Sequence, residues 1–512
     1  MRPLHRALLL VGILACAFAS RLSSLDGYAS SPDDGNYLVS ARVLSVDGTR
    51  PLADWIAEDR AWFDGPSSYP HSYLHQLVTR WCVRAGFGMI ESVRLGSAVL
   101  GALTALLAWA MVRARPFSAP NAAVWAAAFV AFSPVHAWYA RTGWGQTGCT
   151  FFWLLWFALG ARLFFVERPG ALRSLALGVG MALASLAAWG YHEMMAVYVA
   201  TMGLWTIAWL VQQGRRPGEI LRRAVASPTG LALVLAATPV VILTARLRGQ
   251  PFAEELWLNA SRSELGGYWR QKRLILEDLF LRSQVHAQLG WTIALLAVWG
   301  FVALRRERPR VAYYGLVHVV APCLIFFFFF QDGNLVRIYL PVLVVACVFA
   351  GFGLADALRR AAARSAVLAA ALGVIAVGLP ALVTAQTVFG DAGAPFARTS
   401  FYENGRPSRG PLEPIEEWLR QHRGPGELLG VCYDHTPLFV LRDHGISSRY
   451  QTAPELWQVP QTELPHWLIA VKKLLRRDKR TIEDGGVYEL LVTSDEGRFG
   501  LYVNRARLPR KE

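Results

Sequence analysis

Two adjacent carboxylates, Asp33 and Asp34, stand in the run Pro32-Asp33-Asp34-Gly35-Asn36-Tyr37, a few residues after a long apolar stretch. Like charges side by side repel, and a membrane-proximal setting lowers the local dielectric, so one of the pair should hold its proton more firmly than a lone carboxylate. That suits a general base acting on a hydroxyl, or two oxygen ligands for a divalent metal ion. The same run is also good turn sequence, and local sequence alone leaves a solvated turn as the alternative.

Cations that could hold a phosphate recur near the ends of apolar segments. Arg337 opens one after Gln331-Asp332-Gly333-Asn334, Arg141 closes another, and His192 with Glu193 follows Trp189-Gly190-Tyr191 in a tight connection. Ionisable groups at membrane depth are costly, so function is the default reading; snorkelling to the headgroups is the other. A further basic run is Tyr268-Trp269-Arg270-Gln271-Lys272-Arg273. Arg270 can grip a phosphate with two parallel bonds and Lys272 adds a mobile charge, or both rest on anionic lipid. Arg94 is placed to tether the loop that carries the acids through Glu91 or Asp34, and Trp144 offers a ring to a sugar or an anchor to the interface. The six cysteines form no metal spacing or disulfide framework, and four of them lie in apolar runs.

These groups must be positioned by membrane helices. Of 512 residues 54% are hydrophobic and 17% charged, against about a quarter charged in a soluble chain. Apolar segments fall at 4–22, 92–112, 121–140, 146–166, 171–190, 194–212, 228–247, 287–304, 311–330, 335–355 and 365–388, each near the roughly 20 residues that a bilayer core demands. The net charge of +15 does not point to nucleic acid, because the arginines crowd into every second connection. That alternation puts the N-terminus in the cytoplasm and everything after the last segment outside. The first segment also admits a cleaved signal peptide, since Ala17-Phe18-Ala19 mimics a cleavage site. Arginine replaces lysine almost throughout, as in a GC-rich bacterial genome.

The reading is a mainly α, polytopic membrane protein of about eleven crossings. Residues 1–389 form the membrane domain, with outer loops at 23–91 and 248–286, and 390–512 form a small outer α/β domain. Tyr73–Arg84 reads as an amphipathic helix on the membrane surface, and 264–282 as a helix in the second loop. In the tail Glu413–His422 reads as a helix, 427–433 as a strand, and 487–493 with Phe499–Asn504 as a hairpin.

Taken in order, the motifs resemble a known family. The acid pair with Tyr37 comes first, then Ser67-Ser68-Tyr69-Pro70-His71-Ser72-Tyr73-Leu74, then Gly86-Phe87-Gly88 leading to Arg94-Leu95. Phe132-Ser133-Pro134-Val135-His136-Ala137-Trp138-Tyr139-Ala140-Arg141, Arg337-Ile338-Tyr339-Leu340-Pro341 and the tail from Glu413-Pro414-Ile415 to Phe439-Val440-Leu441-Arg442 follow. The order is similar to the GT-C glycosyltransferases of the protein O-mannosyltransferase and aminoarabinose-transferase type. The chain departs from that pattern in a single Pro70 where a double proline is common, in Gln146 where an acid is common, and in Asp34 where glutamate is common.

The resemblance implies a GT-C fold and an inverting glycosyltransferase of the bacterial inner membrane, acting at its outer face. A polyprenyl-phosphate sugar would be the donor, and a hydroxyl on lipid, glycan or protein the acceptor. It implies Asp33 as catalytic base with Asp34 assisting, either of them able to bind a divalent ion. Arg337, Arg141, His192, Arg270 and Lys272 would take the donor phosphate, with Arg94, Glu193 and Tyr37 supporting them. No nucleotide-binding loop is present, as expected of a lipid-delivered donor. The rival classes are a transporter or flippase of lipid-linked glycans, and a glycan ligase or polymerase. A transporter calls for paired repeats and broken helices, and the sequence displays neither.

Overall fold

The computed structural model describes residues 3–23, 25, 35, 37, 38, 41, 73–166, 170–192, 194–212, 228–247, 291–329, 336–389, 412–432, 435–451, 460, 463–471, 487–494 and 499–507. The expected helix at 264–282 lies outside them. The helices run α1 Pro3–Leu22, α2 Tyr73–Arg84, α3 Met89–Arg113, α4 Pro120–Ala131, α5 Pro134–Ala140, α6 Gln146–Phe165 and α7 Ala171–Tyr191. They continue with α8 Met195–Gln212, α9 Pro228–Leu247, α10 Trp291–Glu307, α11 Pro309–Phe329, α12 Leu340–Ala362 and α13 Ala366–Phe389.

Each of the eleven apolar segments holds helix. Among the described residues seven helices are long and apolar enough to cross a membrane, and the pair α4 and α5 makes an eighth if it is one span. The others, α8, α9 and α10, are apolar but shorter in their continuous apolar stretch or total length. The fold is that of a polytopic membrane protein.

One expectation is corrected. The segment 121–140, read as one unbroken helix, is two helices bent by 58°. The cause is local: Pro134 has no N–H to give to the Val130 carbonyl and its ring crowds the preceding turn. Ser133 then caps the new helix by accepting from His136 N at 3.3 Å.

The helices pack through small residues, as membrane helices do. The α12 helix is the most enclosed, 78% buried over its apolar window. Gly300 of α10 and Gly353 of α12 let the two backbones touch. A Cβ on Gly300 would collide with the Phe349 carbonyl, and one on Gly353 with that of Leu296. Connections expected on one side of the membrane do meet: Arg308, between α10 and α11, donates to the carbonyl of Pro116, between α3 and α4. Near the same end Asp356 accepts from Trp299 at 2.9 Å and from Arg359 and Arg360.

The chain divides into two compact units, one of residues 1–23, 97–141 and 145–400, the other of 24–96, 142–144 and 401–512. The second groups the connection between α1 and α3 with the tail. Its sheet holds β1 Leu429–Cys432, β2 Arg449–Tyr450, β3 Trp467–Val471, β4 Tyr488–Thr493 and β5 Phe499–Asn504 in the order β2-β1-β3-β5-β4. Strand β1 runs parallel to β2 and β3, and β5 antiparallel to β3 and β4, so the expected hairpin is present. Helices α14 Glu413–His422 and α15 Thr436–Asp443 complete this α/β domain. A core of Cys432, Leu468, Ala470, Tyr488 and Tyr502 lies beneath the sheet.

Candidate active site

Asp33 and Asp34 lie outside the described residues, as do Glu193, Arg270 and Lys272. The residue that follows the acid pair is described. Gly35 is buried, and a Cβ placed on it would lie 2.6 Å from Thr436 N and 3.0 Å from the His435 Cβ. Space requires glycine there: the start of α15 is pressed against the loop that carries the acids. His435 is itself fixed, its ring stacked on Tyr450 at 4.0 Å.

Tyr37 is 3% exposed and meets the ring of His75 edge-on at 4.6 Å. His75 sits on the inward face of α2 with Thr79, one turn on, while Tyr73, Leu77 and Trp81 form an exposed apolar stripe at the same spacing. That is the pattern of a helix lying in a membrane surface. Burial pushes the His75 imidazole down to about 4, against an opposing hydrogen bond with the Gly143 backbone. The ring is therefore neutral at physiological pH, and it links α2 to the acid-bearing loop and to residues 142–144.

The other end of the loop is tied at α3. Arg94, expected to pair with Glu91 or Asp34, is buried and donates to the Leu25 carbonyl at 3.1 Å. Glu91 accepts from Gly88 N at 3.3 Å, capping its own helix. Asp443, from the end of α15, accepts from Met89 N at 2.9 Å. Its carboxyl is raised by burial, with the Met89 and Ile90 amides and His444 opposing and Glu91 adding to the rise. The tail thus grips the first loop at Gly35 and again at the start of α3.

In the first unit, Arg141 is 8% exposed and donates to the carbonyls of Ser23 at 2.9 Å and Val388 at 3.2 Å. It joins the ends of α1 and α13. His192 accepts from Met194 N through Nδ1 at 3.1 Å, so its neutral ring carries the proton on Nε2. Gly145 packs on the Tyr191 carbonyl, which sets the start of α6 against the residue before His192. Arg337 lies half-buried in the turn Val336–Tyr339 that leads into α12. Tyr198 of α8 fixes that turn by donating to the Ile338 carbonyl at 3.2 Å. In the second unit Trp144, a candidate sugar platform by sequence, is 2% exposed and serves as packing.

Sequence reasoning missed Arg21. This fully buried arginine ends α1 and donates to Val130 O at 2.9 Å, Ala131 O at 3.0 Å and Ala17 O at 3.2 Å. Its third long-range partner is His136 Nδ1 at 3.0 Å. The Val130 carbonyl is the one that Pro134 leaves without a helical donor, so Arg21 plugs the break between α4 and α5. An arginine at the end of the first apolar segment, away from the arginine-rich connections, is the signal that could have found it. Among the described residues no three His, Cys, Asp or Glu side chains cluster as a metal site.

No protein-family model matches the sequence, and no curated protein matches it. Solved structures do. ArnT from Cupriavidus metallidurans bound to undecaprenyl phosphate is 16% identical with a TM-score of 0.57, the match covering 100% of both chains. The oligosaccharyltransferase of Archaeoglobus fulgidus, in its complex with zinc and sulfate, is 12% identical with a TM-score of 0.52, over 98% of this chain and 74% of that one. AglB of the same organism, in complex with an inhibitory peptide and a dolichol-phosphate, is 10% identical with a TM-score of 0.51, over 99% and 75%. At these identities the likeness speaks for the fold, which is GT-C along the whole chain.

Proposed function

We propose that this chain is a glycosyltransferase that moves a sugar from a polyprenyl-phosphate donor to a hydroxyl acceptor at the outer face of a bacterial inner membrane, with inversion. The observation that carries the reading is the GT-C fold matched from end to end, taken with an acid pair that stands immediately before the wedged Gly35. Two of the similar structures hold a polyprenyl-type lipid phosphate, which supports that class of donor. The alternating arginines support a cytoplasmic N-terminus and an outer tail.

In this reading Asp33 accepts the proton of the acceptor hydroxyl as its oxygen attacks the anomeric carbon, from the face opposite the phosphate. The bond between that carbon and the phosphate oxygen breaks, and the polyprenyl phosphate departs with the bonding electrons. A carboxylate base of this kind contributes about a hundred- to ten-thousandfold. The leaving phosphate gains charge, and cations already in place lower that cost. Arg337 is the first candidate for this duty, and His192, Arg270 and Lys272 are the others. Arg141 is a further candidate, and two of its donors also hold the ends of α1 and α13. Asp34, Tyr37, Arg94 and Glu193 support the base and its loop. Any divalent ion would bind through Asp33 and Asp34.

The test is transfer from a labelled polyprenyl-phosphate sugar by purified protein in bilayers. Asp33→Asn should abolish turnover while thermal stability and donor binding persist. Full turnover in that variant would remove Asp33 as the base.

A further inference from the structure

The end of the bundle that collects arginines holds a cavity that the transfer reaction leaves unused. It is an open-sided gap of about 1110 Å³ between α4, α10, α12 and α13. It exists because α13 leaves the bundle: only 11% of its apolar window is buried. Its buried residues, Ala376, Pro380, Thr384, Thr387 and Val388, run from mid-helix to the end, whereas the residues before Ala376 are exposed or half-buried. The walls of the gap are apolar, with Trp125, Leu304, Phe352, Leu358 and Val374 among them. Its polar groups, Ser118, Asn121, Glu307, Asp356 and Arg359, all come from the helix ends near the arginine-bearing connections.

An apolar gap of this size between membrane helices loses packing energy if it stays empty, and apolar walls give water too few partners to fill it. Hydrocarbon is what the surroundings offer. The rim selects the headgroup. The connections 113–119, 305–310 and 356–364 carry nine arginines against two acids, Glu307 and Asp356. Asp356 is already paired with Arg359 and Arg360, so the surplus charge is positive.

We propose that this cavity binds one anionic glycerophospholipid of the adjacent leaflet. Its acyl chains lie along the Ala- and Gly-rich face of α13, and its phosphate rests at the Arg359, Asn121 and Ser118 end. The lipid fastens the free half of α13 to the bundle. The other end of α13 supplies the Val388 carbonyl to Arg141, and Thr384 donates to the Phe132 carbonyl at 2.7 Å. A lipid at one end of this helix therefore steadies the arginine at the other. The inference does not depend on which reaction the protein performs.

Gly373 gives a direct probe, because a Cβ there would meet only Leu358, at 3.6 Å. The full chain is delipidated in mild detergent and offered equal amounts of phosphatidylglycerol, phosphatidylethanolamine and undecaprenyl phosphate, and retained lipid is weighed by native mass spectrometry. One phosphatidylglycerol should remain bound, and Gly373→Phe and Ala370→Phe, which fill the gap, should each shed it. Arg359→Gln, at an exposed position, should keep the fold and lower the preference for phosphatidylglycerol over phosphatidylethanolamine about fivefold. Equal retention of the two glycerophospholipids by the native chain would overturn the proposal. So would retention of undecaprenyl phosphate in their place, or an unchanged phosphatidylglycerol adduct in a folded Phe variant.

Discussion

Replacing Arg21 with methionine keeps much of the length and the apolar stem of the side chain and removes its donors. Three acceptors then lose a partner: the carbonyls of Val130 and Ala131, and Nδ1 of His136. The Val130 carbonyl has no helical alternative, because residue 134 is a proline. Each orphaned buried acceptor costs about 1–3 kcal/mol, a gross loss of roughly 3–9 kcal/mol. Removing the buried guanidinium returns part of its desolvation cost, itself several kcal/mol. The balance is a net loss of about 2–4 kcal/mol at the break between α4 and α5. Hydrogen exchange measured by mass spectrometry in nanodiscs reads this directly. Amides around 132–137 should open roughly thirty- to a thousandfold more often in Arg21→Met, and exchange in the tail sheet should stay unchanged. Arg21→Lys, which keeps a charge but loses the planar fork, should fall between the two. Wild-type protection in Arg21→Met would refute the idea that this arginine completes a broken helix.

The second unit yields three more tests. Gly35→Ala forces its Cβ to within 2.6 Å of Thr436 N, so the packed backbone must shift: melting temperature should fall, and transfer should drop at least about tenfold, as expected when a reacting group is displaced; equal kcat would show that the contact does not matter. His75 is held down to about 4 from 6.5, so its neutral form stabilises the fold fully above pH 6.5 and that contribution is lost as pH falls from 6.5 to about 4. The loss amounts to about 3 kcal/mol at 1.36 kcal/mol per unit, and His75→Phe should flatten this acid slope in a melting series. Asp443 is raised above 3.8, so folding favours its protonated form; that contribution is present below pH 3.8 and is lost as pH climbs through the higher folded value. Exchange at Met89 and Ile90 should therefore quicken with rising pH beyond the intrinsic rate, and Asp443→Asn should remove the excess.

The membrane segments were legible because each needs only a local run of apolar residues, and the tail hairpin because its two strands are separated by a short turn sequence. The Pro134 break was less so: the apolar run 121–140 is long enough for one span and reads as one helix until the carbonyl that Pro134 leaves unpaired is counted. Arg21 finds its acceptors 109 and 110 residues away, and Asp443 meets Met89 across 354. No periodicity announces such pairs. The wedge of Gly35 against His435 and Thr436 is of the same kind, since a glycine after two aspartates already explains itself as a turn. The acid pair itself lies outside the described residues, and the tail's grip on the first loop required the fold.

Mass analysis of cell-envelope lipids and glycans tests the transferase reading most directly, in cells that carry the chain, lack it, or carry only Asp33→Asn. The account predicts one envelope component lighter by a single sugar in both deficient strains and restored by the native chain. Identical envelope masses in all three would contradict it.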